Sequence, residues 1–155
     1  MKRLVCYFSA TGITKTVAEM IAEFTESDLF EIEPVEEYTV DDLNWQDENS
    51  RSSIEMKNKN YRPKIKNKIS DISNYSEIII GFPVWWYTAP TIINTFIEEN
   101  DLSGKNIYVF VTSGGTTADG SFTDLSKKYS NLNFISCKKF NRNVEKEDVI
   151  NWLKG

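Results

Sequence analysis

Three stretches of this chain are apolar at nearly every position: Leu4 to Phe8, Ile78 to Ile80 with Phe82, and Ile107 to Val111. A strand covered on one face alternates apolar with polar residues. A near-continuous run needs cover on both faces, which is the condition of a parallel sheet between layers of helices. With weaker runs, the strand candidates are 3–8, 29–33, 77–82, 106–112 and 132–137. Helix-period patterns lie between and after them, at 13–26, 41–58, 90–99, 118–129 and 145–153. Val17, Met20, Ile21 and Phe24 share one helical face, and Phe122, Leu125 and Tyr129 share another. Ile92, Ile93, Phe96 and Ile97 make a third, behind Pro90, whose missing N–H is harmless in a first turn. Strict alternation predicts an α/β fold, a three-layer doubly wound sandwich on a five-stranded parallel sheet. At 155 residues without a repeat or linker, 1–155 reads as a single domain.

Composition removes several chemistries. The chain has no histidine, which excludes Ser-His and Cys-His nucleophile pairs and most zinc sites. Cys6 and Cys137 sit in strand-like runs and read as buried, reduced thiols. No apolar run approaches the roughly 18 residues of a membrane span, so no membrane partner is expected. Met-Lys-Arg leads straight into a strand too short for a signal-peptide core, so a cytoplasmic location is expected. The net charge of −5 is unevenly spread. From Glu19 to Glu55 there are thirteen acids and one base, Arg51, and then six bases from Lys57 to Lys68 without an acid. Such a run suits either a nucleic-acid surface or a solvated helix end; the overall acidity favours the second.

In a doubly wound sheet, ligands bind beyond the C-terminal ends of the strands. Three loops should meet there. Ser9-Ala10-Thr11-Gly12-Ile13-Thr14-Lys15-Thr16 joins the first strand to the first helix. Its backbone N–H groups, helix dipole and hydroxyls suit a phosphate, and equally suit ordinary capping. It is neither a Walker A loop nor a dinucleotide fingerprint, since Gly12 is its only glycine. The third strand runs into Pro83-Val84-Trp85-Trp86-Tyr87, and a second proline follows at Pro90. Three successive aromatics cannot all point inward, so they either roof the core or offer a platform to a flat ligand. The fourth strand ends in Thr112-Ser113-Gly114-Gly115, where glycine permits positive φ and close backbone approach. A phosphate grip, a planar wall and a close backbone together match flavin mononucleotide (FMN).

With those residues in view, the chain resembles the flavodoxin family over essentially its whole length. The likeness rests on Ser9-x-Thr11-Gly12-x-Thr14, Pro83-Val84-Trp85-Trp86-Tyr87 and Thr112-Ser113-Gly114-Gly115. Short bacterial members with P-x-W-W and T-S-G-G loops are the nearest in pattern. The resemblance implies a 2-1-3-4-5 strand order and FMN as cofactor. Ser9, Thr11, Gly12, Ile13 and Thr14 would grip the phosphate. Pro83, Val84, Trp85, Trp86 and Tyr87 would line the isoalloxazine ring, which of the aromatics stacks being open. Ser113, Gly114 and Gly115 would meet its pyrimidine edge through backbone N–H groups, with Thr112 beside them in the cofactor site. It further implies a monomer or weak dimer that exchanges electrons with redox partner proteins. Glu36, Glu37, Asp41 and Asp42 would either steer basic partners or simply open a solvated helix. The alternatives are an FMN-dependent NAD(P)H:quinone or nitro reductase and a non-redox phosphate-ligand binder. One departure is that the segment Pro34 to Trp45 holds no glycine to ease a redox-linked peptide flip.

Overall fold

The structure, a computed structural model, describes residues 2–154. Five strands, β1 (Lys2–Tyr7), β2 (Asp28–Glu31), β3 (Tyr75–Pro83), β4 (Asn106–Thr112) and β5 (Asn133–Lys139), form one sheet. Its order is β2-β1-β3-β4-β5, and every pairing is parallel. The helices are α1 (Ile13–Thr25), α2 (Arg51–Lys57), α3 (Thr91–Glu99), α4 (Asp119–Lys128) and α5 (Lys146–Lys154). The predicted fold class and strand order are therefore both present. No helix among the described residues is long and apolar enough to cross a membrane.

The continuous apolar runs work as expected, because successive side chains point to opposite faces. Leu4, Cys6, Ile78, Ile80, Phe82, Ile107, Val109 and Val111 pack with Ile92, Ile93 and Phe96 of α3 and Leu125 of α4. Val5, Tyr7, Ile79, Tyr108 and Phe110 pack with Val17, Ala18 and Ile21 of α1 and Val149 of α5. Cys6 is fully buried, and desolvation pushes its thiol well above its ordinary value, so it stays protonated and inert. Gly81 makes room on the second face. A Cβ there would lie 2.0 Å from the Phe110 ring, which fills the space above its register partner.

One element departs from the sequence pattern. The helix expected over 41–58 is present only as Arg51–Lys57, and 41–50 is a chain of turns. The cause is local. Asp42 accepts from Thr39 N–H, Asn44 from Gln46 N–H, and Asp47 from Asn49 N–H. These side chains offer the backbone turn partners in place of helical ones. Ser50 then caps α2 by accepting from Ser53 N–H. The shortened helix leaves 34–50 free to fold over the C-terminal edge of the sheet.

Candidate functional site

The turn after β1 begins where the β1 ladder ends. Phe8 N–H still bonds the Gly81 carbonyl at 3.0 Å, and then the chain leaves the sheet. Gly12 sits at φ 94°, a left-handed conformation that glycine adopts without strain, and its N–H bonds Ser9 Oγ at 3.0 Å. The first intrahelical bond of α1 runs from Thr16 N–H to the Gly12 carbonyl at 3.1 Å. The N–H groups of Ile13, Thr14 and Lys15 precede it, and no side chain caps them. An uncapped helix start with three such donors suits an anion.

The hydroxyls of the turn differ in their partners. Thr14 is buried, and its Oγ1 lies 2.7 Å from Thr112 Oγ1 at the end of β4. That pair ties the turn to the sheet and holds the Thr14 hydroxyl against the end of β4. Thr16 donates to the Gly12 carbonyl at 3.0 Å and is equally engaged. Thr11 is exposed and lines both clefts described next, so its hydroxyl is the one displayed beside the free amides.

The aromatic loop folds as a two-residue turn. Trp85 and Thr88 exchange both backbone bonds, at 2.9 and 3.0 Å, with Trp86 and Tyr87 between them at φ 48° and 65°. Positive φ at both central residues is the type I′ pattern, normally filled by Asn-Gly. Two bulky aromatics there store strain, which persists only where surroundings over-determine it. Thr88 donates to Asp124 Oδ2 of α4 at 2.6 Å, and a Cβ on Gly120 of α4 would meet the Tyr87 carbonyl at 2.9 Å. The turn is thus bonded at its base and packed from behind. Trp85 points inward, edge-on to Phe8 and Tyr38 with centroids 5.7 and 5.3 Å away. Trp86 and Tyr87 stand 42% and 76% exposed.

A cleft of about 480 Å³ opens between these parts. Ala10, Thr11, Pro83, Val84, Trp85, Trp86, Tyr87 and Thr116 line it, and so do Leu43, Trp45 and Ser52. Sequence reading did not select those last three. Trp45 is 69% exposed although it is an indole, and an aromatic isolated in an acidic, turn-rich run was the available signal. Ser52 is 1% exposed, and its Oγ is buried without a hydrogen-bond partner. A second hollow of about 370 Å³ adjoins the first, sharing Thr11, Pro83, Val84 and Trp85. It continues along Ile13, Thr112, Ser113 and Gly114 to Phe140, Asn141 and Arg142.

The Thr112-Ser113-Gly114-Gly115 loop holds itself open. Ser113 Oγ accepts from Gly115 N–H at 3.2 Å and Thr116 N–H at 2.7 Å. The Gly115 amide is therefore engaged. Positive φ occurs in neither Gly114 nor Gly115, contrary to one use expected of them. A Cβ at either would meet nothing within 4 Å, so what they provide is open space for a ligand's approach.

Behind the cleft, one part-buried cluster sets the 34–50 segment. Arg51 Nε bonds Glu55 Oε2 at 2.9 Å, its guanidinium lies 3.8 Å over the Tyr38 ring, and its Nη1 donates to the Glu36 and Glu37 carbonyls. Tyr38 donates to Glu55 Oε1. Burial, and then the bond to Glu55, raise the Tyr38 phenol above its ordinary value, so it remains a donor. Asp42 is occupied in capping Thr39 N–H, at 2.9 Å. Glu37 joins Glu31 and Glu33 around a separate hollow that reaches Ser9.

Comparison with known proteins agrees with this arrangement. The sequence profile described as flavodoxin matches residues 2–155. A candidate flavoprotein from Bacteroides eggerthii is 42% identical, with 99% of this chain and 96% of that one aligned and a TM-score of 0.96. A similar candidate from Bacteroides uniformis is 41% identical over 99% and 98% of the two chains, with a TM-score of 0.94. A flavoprotein from Lactobacillus acidophilus, solved in complex with FMN, is 27% identical over 98% of each chain, with a TM-score of 0.75. No curated protein matches.

Proposed function

Because this chain belongs to the flavodoxin family, we propose that it binds FMN across the β1–α1 turn and the Trp86 cleft and serves as a cytoplasmic electron carrier between proteins. The observation that carries this reading is one juxtaposition. An uncapped helix start and an apolar cleft walled by exposed indoles lie on one sheet edge. The Lactobacillus relative's complex with FMN supports it. So does the chemistry of the lining: three free amides and the Thr11 hydroxyl suit a phosphate, and Trp86 with Trp45 suits a planar ring. Trp85 is committed to Phe8 and Tyr38, so Trp86 is the stacking partner of choice. Ser113 and Gly114 would border the ring's pyrimidine edge.

Bound FMN supplies the redox chemistry; the protein holds and orients it and excludes water from its edges. The carboxylates of Glu31, Glu33 and Glu37 beside Ser9 place negative charge near the phosphate end. They favour basic partner surfaces and raise encounter rates at low salt.

Thr11→Ala is expected to weaken FMN binding about tenfold, the value of one hydrogen bond to a charged group, and to leave riboflavin binding unchanged. Fluorescence titration of the apoprotein with both ligands checks this; equal losses would remove the phosphate from this turn. Anaerobic reductive titration of the FMN-loaded protein is expected to resolve two one-electron steps. Rapid NADPH oxidation with a quinone at catalytic protein levels would replace the carrier by the reductase reading. Failure to bind FMN at all, with retained affinity for sugar phosphates, would favour the simple phosphate binder.

A further inference from the structure

We propose that Arg51 is a positioning residue for the flavin ring: it latches the 36–49 segment over the cleft and so keeps Leu43 and Trp45 in its wall. This role rests on the FMN reading above. The segment has little of its own to hold it in place. Of residues 35–49, only Tyr38, Asp42 and Leu43 are not exposed. The hydrogen bonds within it are those of successive turns. A stretch with so few buried apolar contacts opens locally at small cost unless something outside holds it. Among the described residues, every hydrogen bond that leaves 36–49 ends on Ser50 or on α2.

Arg51 carries most of that attachment, and its guanidinium faces two ways. Nε donates to Glu55 Oε2 at 2.9 Å, while Nη1 donates to the Glu36 carbonyl at 2.8 Å and the Glu37 carbonyl at 3.2 Å. Glu55 is 1% exposed and accepts from Tyr38 on its other oxygen. The attachment is completed by Ser52 N–H on the Asp42 carbonyl at 2.9 Å and Lys57 Nζ on the Glu48 carbonyl at 3.3 Å. The cleft feels the latch along two paths. Tyr38, pinned between Arg51 and Glu55, stands edge-on to Trp85 in the cleft wall. Asp42, 4.0 Å from Arg51 Nη1 and bonded through its carbonyl to Ser52, directly precedes Leu43 and lies three residues before Trp45. A lysine would keep the charge, but its single nitrogen cannot replace two nitrogens held apart on a rigid plane. Without the fork the segment samples open positions, and ring affinity falls in proportion to the closed fraction.

The test compares Arg51→Lys, which keeps the charge, with Arg51→Met combined with Glu55→Gln, which leaves no buried carboxylate unpaired and keeps an acceptor for Tyr38. FMN and riboflavin are titrated into each apoprotein, and amide hydrogen exchange is followed by NMR with and without FMN. Both variants are expected to bind FMN and riboflavin about tenfold more weakly, by the same factor for each ligand. The Ser52 amide, which bridges to the segment, is expected to lose its protection in both variant apoproteins and to regain it at saturating FMN. Amides of β1 and β3 are expected to keep theirs. Affinity unchanged for both ligands would overturn the role, as would a loss confined to FMN, which places the effect at the phosphate. So would Ser52 protection at the wild-type level, or an equal loss of protection in β1 and β3, the result a merely structural residue gives. Wild-type protein that binds neither flavin would remove the FMN reading and this role with it. Wild-type binding with unmoved variants removes the latch alone.

Discussion

Gly81→Ala is expected to destabilise the protein by about 3 kcal/mol, the upper end of what overpacking a core usually costs. The added methyl carbon would lie 2.0, 2.1 and 2.6 Å from three atoms of the Phe110 ring. Both residues are buried in the two central strands, and neither can retreat without moving its strand. Urea denaturation measures the loss. Phe110→Ala alone is expected to cost about 4 kcal/mol through the cavity it leaves. The double variant decides the cause. If the clash is responsible, the methyl enters the vacated space and the combined loss falls short of the sum by at least about 1 kcal/mol. Strict additivity would show that Gly81 is needed for a backbone reason instead. The effect reaches function, because the Gly81 carbonyl holds Phe8 N–H at the last bond before the Ser9 turn. A displaced β3 therefore moves the proposed phosphate grip along with the core.

How much of this was legible in the residues depended on how local each signal was. Continuous apolar runs gave the parallel sheet, since burial on both faces leaves no room for polar alternation. The three loops were found for the same reason: each immediately follows a strand, and their composition is distinctive. What escaped lies in the 34–50 segment. Its apolar spacing resembles a helix, but the Asp42, Asn44 and Asp47 side chains bond nearby amides and break the pattern into turns. With it went Trp45, Leu43 and Ser52, which reach the cleft through a fold held by Arg51, Tyr38 and Glu55 rather than by periodicity. The partners of the turn's hydroxyls were equally beyond reach of the sequence. Thr11, Thr14 and Thr16 look alike in sequence, yet contact with Thr112 takes one inward and the Gly12 carbonyl engages another.

The double substitution Trp86→Asn with Tyr87→Gly is expected to move stability and cofactor affinity in opposite directions. Asn-Gly is the pair that a type I′ turn favours, whereas tryptophan and tyrosine at φ 48° and 65° each hold a sparsely populated conformation. Relieving both should stabilise the apoprotein by about 1–2 kcal/mol, read from its denaturation midpoint. The Trp85–Thr88 bonds and the Thr88–Asp124 bond involve neither replaced side chain, so the turn keeps its path. The same change removes the Trp86 indole and the Tyr87 phenol from the cleft. Removing that stacking surface, at about 25 cal/mol per Å² plus the aromatic contact, should weaken FMN binding by about 2–3 kcal/mol, some 30- to 100-fold. Thermal unfolding and flavin titration of one variant therefore give both signs together. A gain in stability with affinity intact would take Trp86 and Tyr87 out of the binding site. A loss of both would mean that the aromatic side chains hold the turn rather than burden it. The expected pairing identifies the strain as a functional feature: residues unfavourable to the turn stand there because a flat ligand needs the surface they present.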